Sequence, residues 1–275
     1  SEMCIRDRNP GNVLKKTMTY HAKRKFGQNF LQDSFYIRAI IEAVHAQKDD
    51  NLIEIGPGLG SLTDHLVQKV SLLHVIEIDP DMIRFLKNKP YQSKLSIYPG
   101  DVLHFDFSTL GAEQKIVGNL AYNIATPLLF RLIKNKDNLI EAHFMLQKEV
   151  ADKLYAQKNS HVGRLSLLMQ YHFAIEYLFT VPPQAFYPEP KVESVFVRLT
   201  PIQPLYPVNN WEYFADLIKK AFAMKRKTLA NNLKSIVSKE HLLSLGIGPR
   251  VRPEALSLKD YVVLSNSLYE RNILL

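Results

Sequence analysis

The chain has 275 residues, 46% apolar and 23% charged, a balance that fits one large globular domain with or without an appendage and excludes disordered and fibrous classes. Its longest apolar-leaning run, Val70–Ile78, is far short of the roughly 18–20 residues of a membrane helix, no apolar signal core follows the N-terminus, and Cys4 is the single cysteine, so we expect a cytoplasmic protein without disulfides or a cysteine zinc site. Residues 1–28 carry seven Lys/Arg against two acids and residues 203–275 eleven against six, so each end is +5 and the middle −2 of a net +8; a near-neutral core with basic extensions suits a polyanionic partner.

Residues 1–17 show no period and read as a tag, a translation artefact or a disordered arm, with Met18 as the native start; we set residues 1–19 apart as a non-native or disordered tail. From Asn51 short β-rich runs alternate with helical patterns, the mark of βαβ units and a parallel sheet. The strands are predicted at Leu52–Ile55, Leu72–Ile78, Leu95–Tyr98, Lys115–Val117 and Ala142–Leu146. Two further runs, Ile175–Val181 and Ser194–Leu199, flank the turn PPQAFYPEPK and are expected to close the sheet as an antiparallel pair. Thr200–Pro207 contains three prolines and reads as a linker, so the boundaries are placed at 20–202 for a catalytic α/β domain and 203–275 for a small all-helical one. A single long helical pattern, WEYFADLIKKAFAMKRKTLANNLKSIV, is predicted to carry Lys219, Lys220, Lys225, Arg226, Lys227 and Lys234 toward RNA phosphates.

Gly56, Gly58 and Gly60 stand where the first parallel strand hands over to a helix expected near Ser61. Glycine permits a sharp turn and close approach to a ligand, and the G-x-G-x-G spacing, not the G-x-G-x-x-G of dinucleotide folds, favours S-adenosylmethionine over a nicotinamide cofactor. Glu77, 21 residues beyond Gly56, ends the next strand and can accept hydrogen bonds from two ribose hydroxyls; Asp79 is better placed to cap the helix that Pro80 begins. Asp101, with Val102 beside it, ends the third strand, where an acid can accept from a cofactor adenine amino group.

The fourth strand ends in Gly118-Asn-Leu-Ala-Tyr-Asn123. The amino nitrogen of adenine is a poor nucleophile because its lone pair is delocalised into the ring. Two acceptors aimed at its hydrogens, the side-chain oxygen of Asn119 and the backbone oxygen of Leu120, would pyramidalise it, and Tyr122 could stack on an adenine turned out of its helix or loop. No strong general base is needed. The histidines show no metal-ligand spacing, and no metal is assigned.

These motifs, with Arg24-Lys-Phe-Gly-Gln-Asn-Phe-Leu31, Phe144-Met-Leu-Gln-Lys-Glu149 and Phe186-Tyr-Pro-Glu-Pro-Lys-Val-Glu-Ser194, give a chain that resembles the bacterial small-subunit (16S) ribosomal RNA adenine dimethyltransferases over nearly its whole length from Lys23. The resemblance implies a Rossmann-like class I S-adenosylmethionine methyltransferase domain, Asn29 and Leu31 closing over the cofactor, and Gly56, Glu77, Asp101 and Asn119 lining its site. It implies Phe186 facing the target base opposite Tyr122, and a substrate of two adjacent adenines in the hairpin loop near the 3′ end of 16S rRNA, dimethylated on N6 during assembly. A monomer is expected. Lys23, Arg24 and Lys25, with Phe26 and Phe30, could form an RNA entrance. One position departs from the family's Asn-Leu-Pro-Tyr motif: Ala121 stands where it has proline. Competing readings are a large-subunit dimethylase of the erythromycin-resistance type, an assembly checkpoint with secondary catalysis, and a nicotinamide oxidoreductase.

Overall fold

The computed structural model describes residues 23, 27–156, 162–271 and 273. The 1–17 segment, Met18, Arg24, Lys25 and Phe26 lie outside the described residues. In chain order the elements are β1 (Phe30–Leu31), α1 (Ser34–Val44), β2 (Asn51–Ile55), α2 (Thr63–Leu66), β3 (Leu73–Glu77), α3 (Pro80–Lys87), β4 (Leu95–Pro99) and β5 (Gln114–Asn119), then α4 (Tyr122–Asn135), β6 (Leu139–Gln147), α5 (Lys148–Tyr155), α6 (Arg164–His172), β7 (Phe173–Val181), β8 (Phe186–Tyr187) and β9 (Ser194–Pro201).

Seven strands form one sheet in the order β4-β3-β2-β5-β6-β9-β7. The first five are parallel, and β9 runs antiparallel between β6 and β7, which bears out the expected closing pair. Successive strand residues face opposite sides. Leu52, Val75, Val117, Met145 and Phe196 pack with Ile37, Ile40 and Val44 of α1 and Leu86 of α3, while Ile53, Ile76, Ile116, Phe144 and Val197 pack with Leu128, Leu129 and Leu132 of α4 and Leu167 and Leu168 of α6. Both faces are therefore covered, which is why these strands read as unbroken apolar runs. Together these features make an α/β Rossmann-like fold.

Three local expectations are corrected. The helix after the glycine turn starts at Thr63 and is only the four-residue α2; φ values of +63°, +54° and +86° at Gly56, Gly58 and Gly60 keep the backbone out of the helical basin through Gly60. Thr200 and Pro201 belong to β9, where they pair with Ala174 and Phe173. The pairing of β6 with β9 ends at Leu199, so Pro201 sits where one side of the ladder needs no amide donor.

The third correction concerns the basic C-terminal segment, which folds as α7 (Trp211–Ala221), α8 (Leu229–Asn232), α9 (Lys239–Ser244) and α10 (Leu258–Glu270). The single long helix breaks after Ala221. Asn232 Nδ2 donates to the Ala221 carbonyl at 2.6 Å, its Oδ1 accepts from Met224 N at 3.2 Å, and Thr228 caps α8 by accepting from Asn231 N. Lys225, Arg226 and Lys227 thus lie on an exposed turn between two helices. Trp211 stacks on Tyr171 of α6 at 5.4 Å, and Phe214, Leu217 and Leu264 join the apolar cluster on that face of the sheet, so the terminal helices pack directly on the sheet-bearing part. Among the described residues no helix is long and apolar enough to cross a membrane.

Candidate active site

The sheet order reverses at β2, since the chain moves outward through β3 and β4 and returns through β5 to β6 on the other side. Beyond the carboxyl ends of strands at such a switch point the connecting loops part and leave a crevice. A cavity of about 370 Å³ lies there. It is lined by the turn after β2, the ends of β3 and β5, the loop after β4, and the segment Gly27–Leu31.

Asn29, Leu31, Gly56, Gly58, Glu77, Asp101, Val102, Asn119, Leu120, Tyr122 and Phe186 all line it. A Cβ built on Gly56 would stand in open space, and one on Gly58 would lie 3.0 Å from the Phe30 ring. Gly56 therefore leaves room on the cavity side, whereas Gly58 lets Phe30 close over the turn. Gly60 is not part of the lining: it faces Asp64 and Tyr91, which a Cβ would meet at 3.2 and 3.5 Å.

Glu77 is 6% exposed. Its Oε2 accepts from Gly58 N at 3.1 Å and its Oε1 from Asp79 N at 2.8 Å. Burial pushes its pKa up, and the amide bonds oppose that. Each oxygen keeps a lone pair for a ligand hydroxyl. Asp79 caps α3, accepting from Asp81 N at 3.0 Å, the role expected of it. Asp101 Oδ1 accepts from Leu103 N at 2.9 Å and so holds the loop after β4 in place.

On the other wall, Asn119 Nδ2 donates to the Asn29 carbonyl at 2.9 Å, which fixes the amide and leaves Oδ1 without a bond among the described residues. Tyr122 starts α4; burial raises its pKa, an effect that the Ser194 side chain opposes. Phe186 is 5% exposed and its neighbour Tyr187 59%, as strand alternation in β8 requires. Ala121 has φ −60° and ψ 139°, the conformation a proline would impose.

Glu54 and Ser194 are among the lining residues that carried no expected role. Glu54 is 2% exposed, accepts from Thr63 Oγ1 at 2.7 Å, and is pushed up to about 8 by burial. A carboxyl set between apolar strand neighbours was the available signal. Ser194 had only its place in the Phe186–Ser194 motif. Lys23, expected at an RNA entrance, is held by carboxylates, with its ammonium 2.6 Å from Asp79 and 2.5 Å from Asp81. Lys219, Lys225, Arg226, Lys227 and Lys234 are exposed and Lys220 half-buried. No cluster of His, Cys, Asp and Glu among the described residues could hold a metal ion.

The family model described as ribosomal RNA adenine dimethylase matches residues 19–270. The chain belongs to this family. It is 47% identical over 251 residues to the ribosomal RNA small subunit methyltransferase A of Neisseria meningitidis serogroup A, covering 90% of this chain and 97% of that one. It is 48% identical over 252 residues to the protein of that name from Legionella pneumophila, covering 90% and 98%. A dimethyladenosine transferase from Plasmodium falciparum superposes with a TM-score of 0.76 at 25% identity, over 89% of this chain and 98% of that one. The 23S rRNA methyltransferase ErmE shares the fold, with a TM-score of 0.68 at 24% identity over 88% and 99%.

Proposed function

We propose that this family member transfers methyl groups from S-adenosylmethionine to N6 of two adjacent adenines in the 3′-terminal hairpin loop of 16S rRNA, during assembly of the small subunit. The name carried by relatives at 47–48% identity supports the choice of subunit. We further propose residues 20–202 as the catalytic part and 203–275 as an RNA-docking part, in a cytoplasmic monomer without a metal.

The donor set fits the cofactor. A buried carboxylate at the end of β3 suits a ribose, the open side of Gly56 leaves space for a ligand, and Asp101 and Val102 border the same cavity. When bound, S-adenosylmethionine supplies an electrophilic methyl group on its sulfonium. Asn119 Oδ1 and the Leu120 carbonyl accept the two N6 hydrogens and turn the nitrogen lone pair out of the ring plane, while Tyr122 and Phe186 sandwich the extruded base. The proton lost on methylation leaves to water.

The observation that carries this reading is the Asn119 amide, tied through Nδ2 at the wall of the cavity with Oδ1 left for a substrate. Asn119→Ala should cut single-turnover methyl transfer at saturating cofactor by about 10²-fold or more while cofactor affinity stays within a few-fold. An unchanged rate would remove Asn119 from the chemistry.

A further inference from the structure

The segment Gly27–Leu31 makes three separate contacts around the cavity. Gln28 Nε2 donates to Asp79 Oδ2 at 3.1 Å, beyond the end of β3. Asn29 presents its carbonyl to Asn119 Nδ2 at 2.9 Å, at the end of β5. Phe30 lies over Gly58, and β1 pairs with β8 so that Leu31 sits opposite Phe186. Asp79 is itself fixed from below, because its backbone N–H donates to Glu77 Oε1 and its side chain, fully buried, also holds Lys23.

A primary amide on a side chain rotates freely unless one end is held. At Asn119 the holding group is a backbone carbonyl from a residue 90 positions away, and the residue before that carbonyl carries the bond to Asp79. The anchor at Asp79 shares a two-residue span with Glu77, the ribose acceptor. We infer that Gln28 and Asp79 are positioning residues for methyl transfer: their bond sets the Asn29 carbonyl, which orients the Asn119 amide with its oxygen toward the target adenine, so that the cofactor wall and the base-activating group are aligned by one strap. This rests on Asn119 being the acceptor for the adenine amino group.

The test is a double-mutant cycle of Gln28→Ala and Asn119→Ala, read by single-turnover methylation of small subunits lacking the modification, with calorimetric S-adenosylmethionine affinity measured alongside. Asn119→Ala alone examines the underlying reading. The positioning role is read from the coupling. Gln28→Ala should lower the rate at saturating cofactor by about tenfold, and in the Asn119→Ala background it should change the rate by less than about twofold. Lys23→Met, which loosens the same anchor, should follow the same pattern. Multiplicative losses in the double variant, or a wild-type rate for Gln28→Ala at saturating cofactor, would overturn the positioning role while leaving Asn119 as acceptor. A wild-type rate in Asn119→Ala would overturn both.

Discussion

Glu77 Oε2 accepts the Gly58 amide at 3.1 Å, so the carboxylate that ends β3 is fastened to the glycine turn that ends β2. A ligand bonded to Glu77 is thereby registered against that turn. Glu77→Ala should weaken S-adenosylmethionine binding by about 1.5–3 kcal/mol for each hydroxyl bond removed, tenfold or more in dissociation constant. Calorimetry on the folded variant checks this, and an unchanged affinity would take Glu77 out of the ribose site.

Ala121 already holds φ −60° and ψ 139° as the N-cap of α4, and its N–H makes no backbone hydrogen bond among the described residues. Proline fits that conformation and restricts the unfolded chain. Ala121→Pro should raise stability by about 0.4–1 kcal/mol and retain or increase turnover. Normal cofactor binding with abolished methyl transfer would contradict the geometry assigned to this loop.

Two buried imidazoles make the fold sensitive to acid. His143 is 1% exposed, stacks on Phe196, and has neither ring nitrogen bonded; His172 is 6% exposed against Trp211 with Nε2 unpartnered. Burial, aided at His143 by Arg198 and Lys115, lowers each from 6.5 to about 4. Through these two groups the native state binds fewer protons than the unfolded chain in that window, so their contribution to stability is complete above about pH 6.5 and falls as pH drops toward about 4, while Glu54, raised to about 8, acts in the opposite sense. The loss should be on the order of 2–3 kcal/mol per residue. Denaturant titrations of His143→Phe should show a shallower decline over this range than wild type; parallel curves would acquit His143.

Lys225, Arg226 and Lys227 project from the turn between α7 and α8, with no ion pair holding them among the described residues. Replacing all three with glutamate should weaken subunit binding by orders of magnitude at low salt, while cofactor affinity stays near wild type. The log-log salt slope should shrink by about 0.7–0.9 for each phosphate that the variant no longer neutralises. Filter binding across a salt series checks it. Wild-type binding at every salt concentration would move the docking surface elsewhere.

The parallel strands were legible because apolar runs such as Leu52–Ile55 and Leu72–Ile78 end at Gly56-Pro57 and Asp79-Pro80, and the antiparallel closing pair because Ile175–Val181 and Ser194–Leu199 flank a proline-rich turn. The cavity followed from glycines and acids falling at consecutive strand ends. Long-range bonds were not legible. Nothing local to Lys23 shows that its ammonium meets Asp79 and Asp81, more than 50 residues on. The break after Ala221 was hidden for a similar reason, since Asn232 stops the helix from eleven residues away. Phe30–Leu31 and Phe186–Tyr187 pair as two-residue strands, too short for any period to mark.

The most direct test is to incubate the protein and S-adenosylmethionine with purified small subunits lacking adenine dimethylation, and in parallel with large subunits, and map the products by mass spectrometry. The predicted result is N6,N6-dimethyladenosine at two adjacent adenines of the 3′-terminal 16S hairpin loop, with large subunits unmodified. Methylation of 23S rRNA, methylation at a nitrogen other than N6, or binding without methyl transfer would contradict the account.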